Sequence, residues 1–395
     1  MPSLPQLKVQ QAIEILNEKD IDLWLTFVRE TSVNPDPVLP LIYGDDSITR
    51  RSFLLIHKSG ETIAIIARID ADTARNNGAY QQVLVSDASI SDLLLSTLDR
   101  LDPQSIAINT SQSDVLADGL SVGLYQILLS LLKETPYKDR LVSAEAVIGA
   151  LNGRKIPHEI ERIRDAVAET EAIYQVTYDF LKPGKTEIDV ADFMHQQIKD
   201  RGLDVAWTYE GCPAVNSGPD SPVGHAAPGS IQLERGHIVH FDFGVKKNDF
   251  CSDIQRVVYL LKPGESQAPQ AVQFGFDTVR KAVEAARSVM RPGVTGFEVD
   301  KAARQVILEA GFPEYKYATG HQLGRHAHDG GGILGPDWEV YTGLVHTPLE
   351  AGQVYTIEPG LAVPGYGYIG LEEDVVVTEN GAVYLGEPQQ AIILR

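Results

Sequence analysis

At 395 residues the chain is longer than one ordinary hydrophobic core serves, so two domains are expected. Its composition, 43% hydrophobic and 22% charged with no low-complexity tract, is that of a globular protein, and a net charge of −20 argues against a nucleic-acid partner, which needs a basic face. The two cysteines, Cys212 and Cys251, form no CxxC, which excludes a disulfide framework and a cysteine-based structural zinc.

From the N-terminus, Val9, Ala12, Ile13 and Leu16 share one face of a helix predicted near 6–18. Short apolar strands follow at DLWLTF, SFLLIH, TIAIIA, QVLVS and SIAIN, then a helix near 115–133. Residues 1–150 thus read as an α/β domain without a catalytic constellation. The opening stretch MPSLPQLKVQQAIEIL lacks the apolar segment of a signal peptide, and no run approaches a membrane span. No membrane partner is expected, and the expected location is the cytoplasm.

LNGRKIP, 151–157, punctuates the chain with Gly153 and Pro157 and marks the domain boundary. A long helix follows, with Ile160, Ile163, Val167, Tyr174, Tyr178 and Leu181 on one face, and stops at LKPG. Two internal repeats then appear. KPGKTEIDVADFMHQQIKDRG at 182–202 matches RPGVTGFEVDKAARQVILEAG at 291–311, and LERGHIVHFDFG at 233–244 matches LEAGQVYTIEPG at 349–360. The offsets are 109 and 116 residues, too long for a solenoid. They predict a duplicated α/β half, with Thr186 and Thr295 capping equivalent helices and a pseudo-two-fold axis between the halves.

Each repeated strand carries a carboxylate, Asp242 or Glu358, where an apolar residue would be easier to bury. Each is followed by a second acidic strand, with Asp253 in FCSDIQRVVYL and Glu373 in YIGLEEDVVVTE. Two hairpins would bring these four carboxylates to one axis, where they cannot all stay ionised without cations. Two divalent metals would satisfy them, and oxygen-rich ligation favours manganese over zinc. TGHQLGRHAHDGG, 319–331, adds His321 and His328, and SPVGHAAPG adds His225. A lone strand carboxylate is usually an exposed alternate position, and a lone histidine a surface or satisfied core residue. That reading is kept for His237, His240, His326, His346, Asp329 and Asp374. Glu372 competes with Glu373 in register.

On these motifs the chain resembles the pita-bread metallopeptidases, the group of methionine aminopeptidase, aminopeptidase P, Xaa-Pro dipeptidase and creatinase. The resemblance covers about 155–395, and residues 1–150 are similar to the creatinase-type N-terminal domain. It implies an α+β chain: a pita-bread catalytic domain of two duplicated halves behind a smaller α/β domain. It also implies metal ligands at Asp242, Asp253, His321, Glu358 and Glu373, with Asp253 and Glu373 shared by two metals. Manganese comes first, with cobalt and zinc as alternatives. Catalytic roles fall to Glu358 as proton relay, His328 at the oxyanion and His225 near the scissile amide. The implied reaction removes one N-terminal residue from a peptide, with proline next in line, in a homodimer. Hydrolysis of an amidine or phosphoester and non-catalytic peptide binding are the alternatives on the same fold. Two departures bear on substrate. Gln322 follows the metal histidine in place of Gly. Leu371 stands where proline-specific members often have Arg two residues before the last Glu. Leu371 is expected to face the site with Glu373, leaving Arg256 or Arg325 to meet a dipeptide's carboxylate and predicting preference for Xaa-Pro-Xaa over Xaa-Pro.

Overall fold

The computed structural model describes every residue except Met1, Ala88, His225 and Thr342. Its contacts divide the chain into Met1–Asn152 and Gly153–Arg395.

The first unit runs α1 (Leu4–Glu18), β1 (Leu23–Val28), α2 (Leu39–Ile42), β2 (Ser52–His57), β3 (Thr62–Ala67), α3 (Ala71–Asn77), β4 (Gln82–Ser86), α4 (Ile90–Leu101), β5 (Ile106–Ile108), α5 (Val122–Leu131), β6 (Leu141–Ser143) and α6 (Glu145–Gly153). The strands form one sheet in the order β4-β3-β2-β1-β5-β6. Pairing is antiparallel from β1 through β3 and parallel at both flanks. Alternate residues feed two cores: Trp24, Leu54, Ile56, Ala64 and Ile66 on one face, and Leu25, Phe27, Phe53, Leu55 and Ile65 on the other. Burial on both faces is why these strands read as continuous apolar runs rather than as alternation. The helix expected near 115–133 is shorter, because a 3₁₀ turn at Val115–Ala117 and Ser121, which caps α5, interrupt it.

The second unit continues with α7 (Pro157–Phe180), α8 (Glu187–Asp200), β7 (Asp204–Val205), β8 (Ala214–Ser217), β9 (Ile238–Phe243), β10 (Val245–Lys247), β11 (Phe250–Cys251) and β12 (Ile254–Tyr259). The second half follows as α9 (Gln270–Val289), α10 (Gly296–Glu309), β13 (Gly320–His321), β14 (Ile333–Leu334), β15 (Val354–Ile357), β16 (Gly360–Val363), β17 (Gly367–Gly370), β18 (Glu373–Thr378), β19 (Gly381–Tyr384) and β20 (Ile393–Leu394).

The internal repeat is built atom by atom. Thr186 and Thr295 each cap the next helix in a reciprocal box, with Asp189 and Glu298 as return partners. Gly184 and Gly293 have φ of +87° and +89°, a left-handed turn where a side chain would be strained. Their amides donate to the carbonyls of Leu233 and Leu349 at 3.0 and 2.9 Å. Each half therefore ties its helix start to the leucine five residues ahead of its acidic strand. The two acidic hairpins are β9–β12, with Asp242 opposite Gln255, and β15–β18, with Ile357 opposite Glu373. They meet where the Glu372 amide donates to the Gln255 carbonyl at 3.3 Å.

Candidate metal centre

Side chains two apart along a strand share a face. On β9 and β12 that rule places His240, Asp242 and Gln255 on one face, with Asp253 at its end. Phe241, Phe243 and Arg256 take the other face, where Tyr174 of α7 meets both phenylalanines edge-on. His321 comes from β13 and Glu358 from the end of β15.

The first face gathers the acids. His321 Nε2 lies 3.8 Å from Asp253 Oδ2 and 3.6 Å from Glu358 Oε1. Among the described residues, Asp253, His321 and Glu372 bring donor atoms within 4.8 Å of one another. The Asp253 carboxyl is pushed well above its ordinary range by burial, then by Glu372, Asp242, Asp374 and Glu358. Burial and Asp242 do the same to Glu358, and burial with Glu358, Asp242 and Asp374 to Glu372. Burial pulls His321 down to about 3, helped by His328, so its ring is neutral and its nitrogen is available as a donor to a metal. The His328 ring packs edge-on against it, centroids 4.3 Å apart.

Glu373 is not in this group. Arg256 grips it in bidentate fashion, Nη1–Oε1 3.0 Å and Nη2–Oε2 3.1 Å, and the Gln389 amide donates to Oε1 at 3.0 Å. The placement expected for Glu373 is corrected to Glu372. Neighbouring strand residues face opposite ways, and the run Glu372-Glu373-Asp374 left the register open. The same correction moves Leu371. It is 1% exposed and sits in the apolar core, so it does not face the acids. The position two ahead of the clustered glutamate is Gly370. Arg256, committed to Glu373, is not available for a substrate carboxylate, and the length preference argued from Leu371 loses its basis. Gln322 also points elsewhere, donating to the Tyr355 hydroxyl at 3.1 Å. His225 lies outside the described residues.

Several participants carried no signal in sequence. His240 takes the satisfied-core form of its expected reading, buried and 2.9 Å from Gln255 Oε1, but nothing local placed it beside the acids. Asp329 forms a buried ion pair of 2.7 Å with Lys155 and accepts the His326 amide at 3.2 Å, which pins the loop carrying His328. Asp374 accepts the Asp253 amide at 3.1 Å and so orients that residue's backbone. Tyr317 and Tyr368 meet hydroxyl to hydroxyl beside Glu358. The Lys155–Asp329, Asp253–Asp374 and Tyr317–Tyr368 pairings join residues far apart in the chain, where local pattern is blind.

The donor set fits divalent metal ions. Buried carboxylate oxygens without a hydrogen-bond partner, Asp253 Oδ1 and Glu372 Oε1, sit among mutually repelling acids. Cations would supply what both oxygens lack. Four carboxylates and one imidazole are a hard, oxygen-rich set.

Comparison with known proteins agrees with this chemistry. Residues 161–379, more than half the chain, match the model of metallopeptidase family M24. An uncharacterized peptidase of Staphylococcus saprophyticus is 29% identical over 340 residues, covering 86% of this chain and 89% of the relative. One from Staphylococcus aureus is 26% identical over 377 residues, covering 95% and 97%. Among solved structures, an Xaa-Pro dipeptidase from Bacillus anthracis superposes with a TM-score of 0.74 at 22% identity, covering 99% of this chain and all of that one. An X-Pro aminopeptidase from Thermotoga maritima does so with 0.71 at 25% identity, covering 98% and 99%. The whole-chain likeness makes the fold a pita-bread unit preceded by an N-terminal domain.

Proposed function

Because this chain belongs to metallopeptidase family M24, we propose that it is a two-metal exopeptidase that removes the N-terminal residue ahead of proline. The observation that carries this reading is the convergence of Asp242, Asp253, Glu358 and Glu372 around the neutral ring of His321. These five residues would hold the ions, manganese first. Bound ions supply Lewis acidity and a water that is nucleophilic near neutral pH.

The chain's own groups do the rest. Glu358, ionised beside bound cations, takes the proton of the attacking water and delivers it to the departing amide nitrogen. His328, fixed edge-on to His321, donates to the carbonyl oxygen as charge develops there. Lys155 and Asp329 hold the His328 loop in place. The likeness to an Xaa-Pro dipeptidase and an X-Pro aminopeptidase supports proline in second position. A peptide substrate, a homodimer and the cytoplasm belong to the same reading. Among the described residues, no helix is long and apolar enough to cross a membrane.

The test is a manganese-loaded assay on Ala-Pro, Ala-Pro-Ala and their Ala-Ala counterparts. Cleavage after the first residue, dependent on proline and abolished by a chelator, is expected. Equal turnover of the proline-free peptides would remove the specificity, and no turnover of any peptide would remove the peptidase reading.

A further inference from the structure

Gly370 stands two residues ahead of Glu372, and its backbone is not left-handed. Its need for glycine comes from space. A Cβ there would lie 2.2 Å from Gln255 Oε1 and 2.6 Å from His240 Nε2. Those two groups belong to a continuous polar chain. Asn216 Nδ2 donates to the Pro222 carbonyl at 2.7 Å, and His240 Nδ1 lies 3.1 Å from Asn216 Oδ1. His240 Nε2 lies 2.9 Å from Gln255 Oε1, and Gln255 Nε2 donates to Glu358 Oε2 at 3.4 Å. The Gln255 backbone carbonyl in turn accepts the Glu372 amide at 3.3 Å.

Asn216, His240 and Gln255 are 5%, 3% and 6% exposed. Burying three polar side chains costs free energy unless each is partnered, and an apolar trio would fill this space with less to satisfy. Here each side chain has a hydrogen-bond partner, the His240 ring donating to one of the two amide oxygens that flank it, and the chain ends at the Glu358 carboxylate. Tyr368 closes the side of the His240 ring edge-on, centroids 5.2 Å apart, so the ring has little room to turn.

We propose that Gln255, backed by His240 and Asn216 and given room by Gly370, is a positioning residue that sets the orientation of Glu358 and Glu372 toward the metals. One residue meets both glutamates, Glu358 through its carboxamide and the Glu372 amide through its backbone carbonyl, before any ion arrives. A carboxylate held in its ligating pose loses less freedom on binding than one that must be ordered by the ion. The inference rests on reading Glu358 and Glu372 as metal ligands.

The test is Mn²⁺ binding to the metal-free full chain, followed by isothermal titration and by melting with and without Mn²⁺. Gln255→Met keeps the length of the side chain and removes its donor. Gly370→Ala keeps every hydrogen-bonding group but pushes the flexible carboxamide aside. Both are expected to weaken Mn²⁺ binding about 10–100-fold, the usual cost of losing an outer partner of a ligand. Both should also shrink the rise in melting temperature that Mn²⁺ produces. A merely structural role would lower the two melting temperatures equally and leave the rise intact, which would overturn the inference. Wild-type affinity in Gln255→Met would overturn it as well. No Mn²⁺ binding by the wild type would instead bring down the reading of the site as a metal centre, and this inference with it.

Discussion

The two halves of the second unit share a frame and differ in how they spend their acids. Each half ties a capped helix to an acidic strand through the same turn, and each presents one carboxylate at the equivalent place, Asp242 or Glu358. Beyond that the symmetry fails. The first half adds Asp253 to the cluster and turns Arg256 to the opposite face. The second half adds Glu372 and turns Glu373 toward that arginine. A buried cation from one half thus neutralises a surplus anion from the other, which keeps a fifth carboxylate out of an already crowded centre. The duplication supplies geometry, and divergence between the copies sorts the charge.

The sharpest break of this comparison is between the two adjacent glutamates. Glu372→Ala is expected to strip metal as Asp253→Ala does, with activity falling by more than the roughly 10²-fold that an outer partner costs. Glu373→Gln is expected to keep its metal. Elemental analysis of metal-loaded protein reads both, and a metal-free Glu373→Gln beside a loaded Glu372→Ala would reverse the assignment.

The cross-half ion pair comes next. Arg256→Met leaves Glu373 buried without its partner and should destabilise the unit by about 3–5 kcal/mol. Adding Glu373→Leu should recover most of that loss, because removing both charges is nearly neutral. Denaturant unfolding of the single and double variants measures it. A double variant no more stable than the single would mean that Arg256 acts through its carbonyl contacts rather than through Glu373.

His328→Ala separates transition-state help from ligation. The rate constant kcat should drop about 10²–10³-fold while metal content stays at the wild-type level. An emptied site in this variant would make His328 a ligand.

The smallest effect tests the symmetry itself. Thr186→Ala and Thr295→Ala each remove a cap and should each cost about 1 kcal/mol. Clearly unequal losses in thermal unfolding would show that the halves, alike in geometry, are not alike in stability.

Much of this molecule is legible locally. Proline-glycine turns, capping threonines and glycines with positive φ act within a few residues, so the repeated segments reveal the duplicated frame. Asp242, Asp253, Glu358 and His321 stand out because an acid or histidine in an apolar strand context is costly, and the repeat pairs two of them. The Glu-Glu-Asp run is different. Each of its members has a side to face, and local pattern allows either glutamate inward. The partner that decides the matter, Arg256, is 117 residues away.

The sequence by itself determined two units, the internal repeat and an acid-rich strand in each half, because turn chemistry, capping and hydrophobic period are short-range. Only the tertiary structure decided which glutamate enters the cluster, why residue 370 must be glycine and how His240 comes to stand behind Gln255. Those outcomes depend on register and on space shared by strands from different halves. A one-residue shift in register exchanges the two faces of a strand.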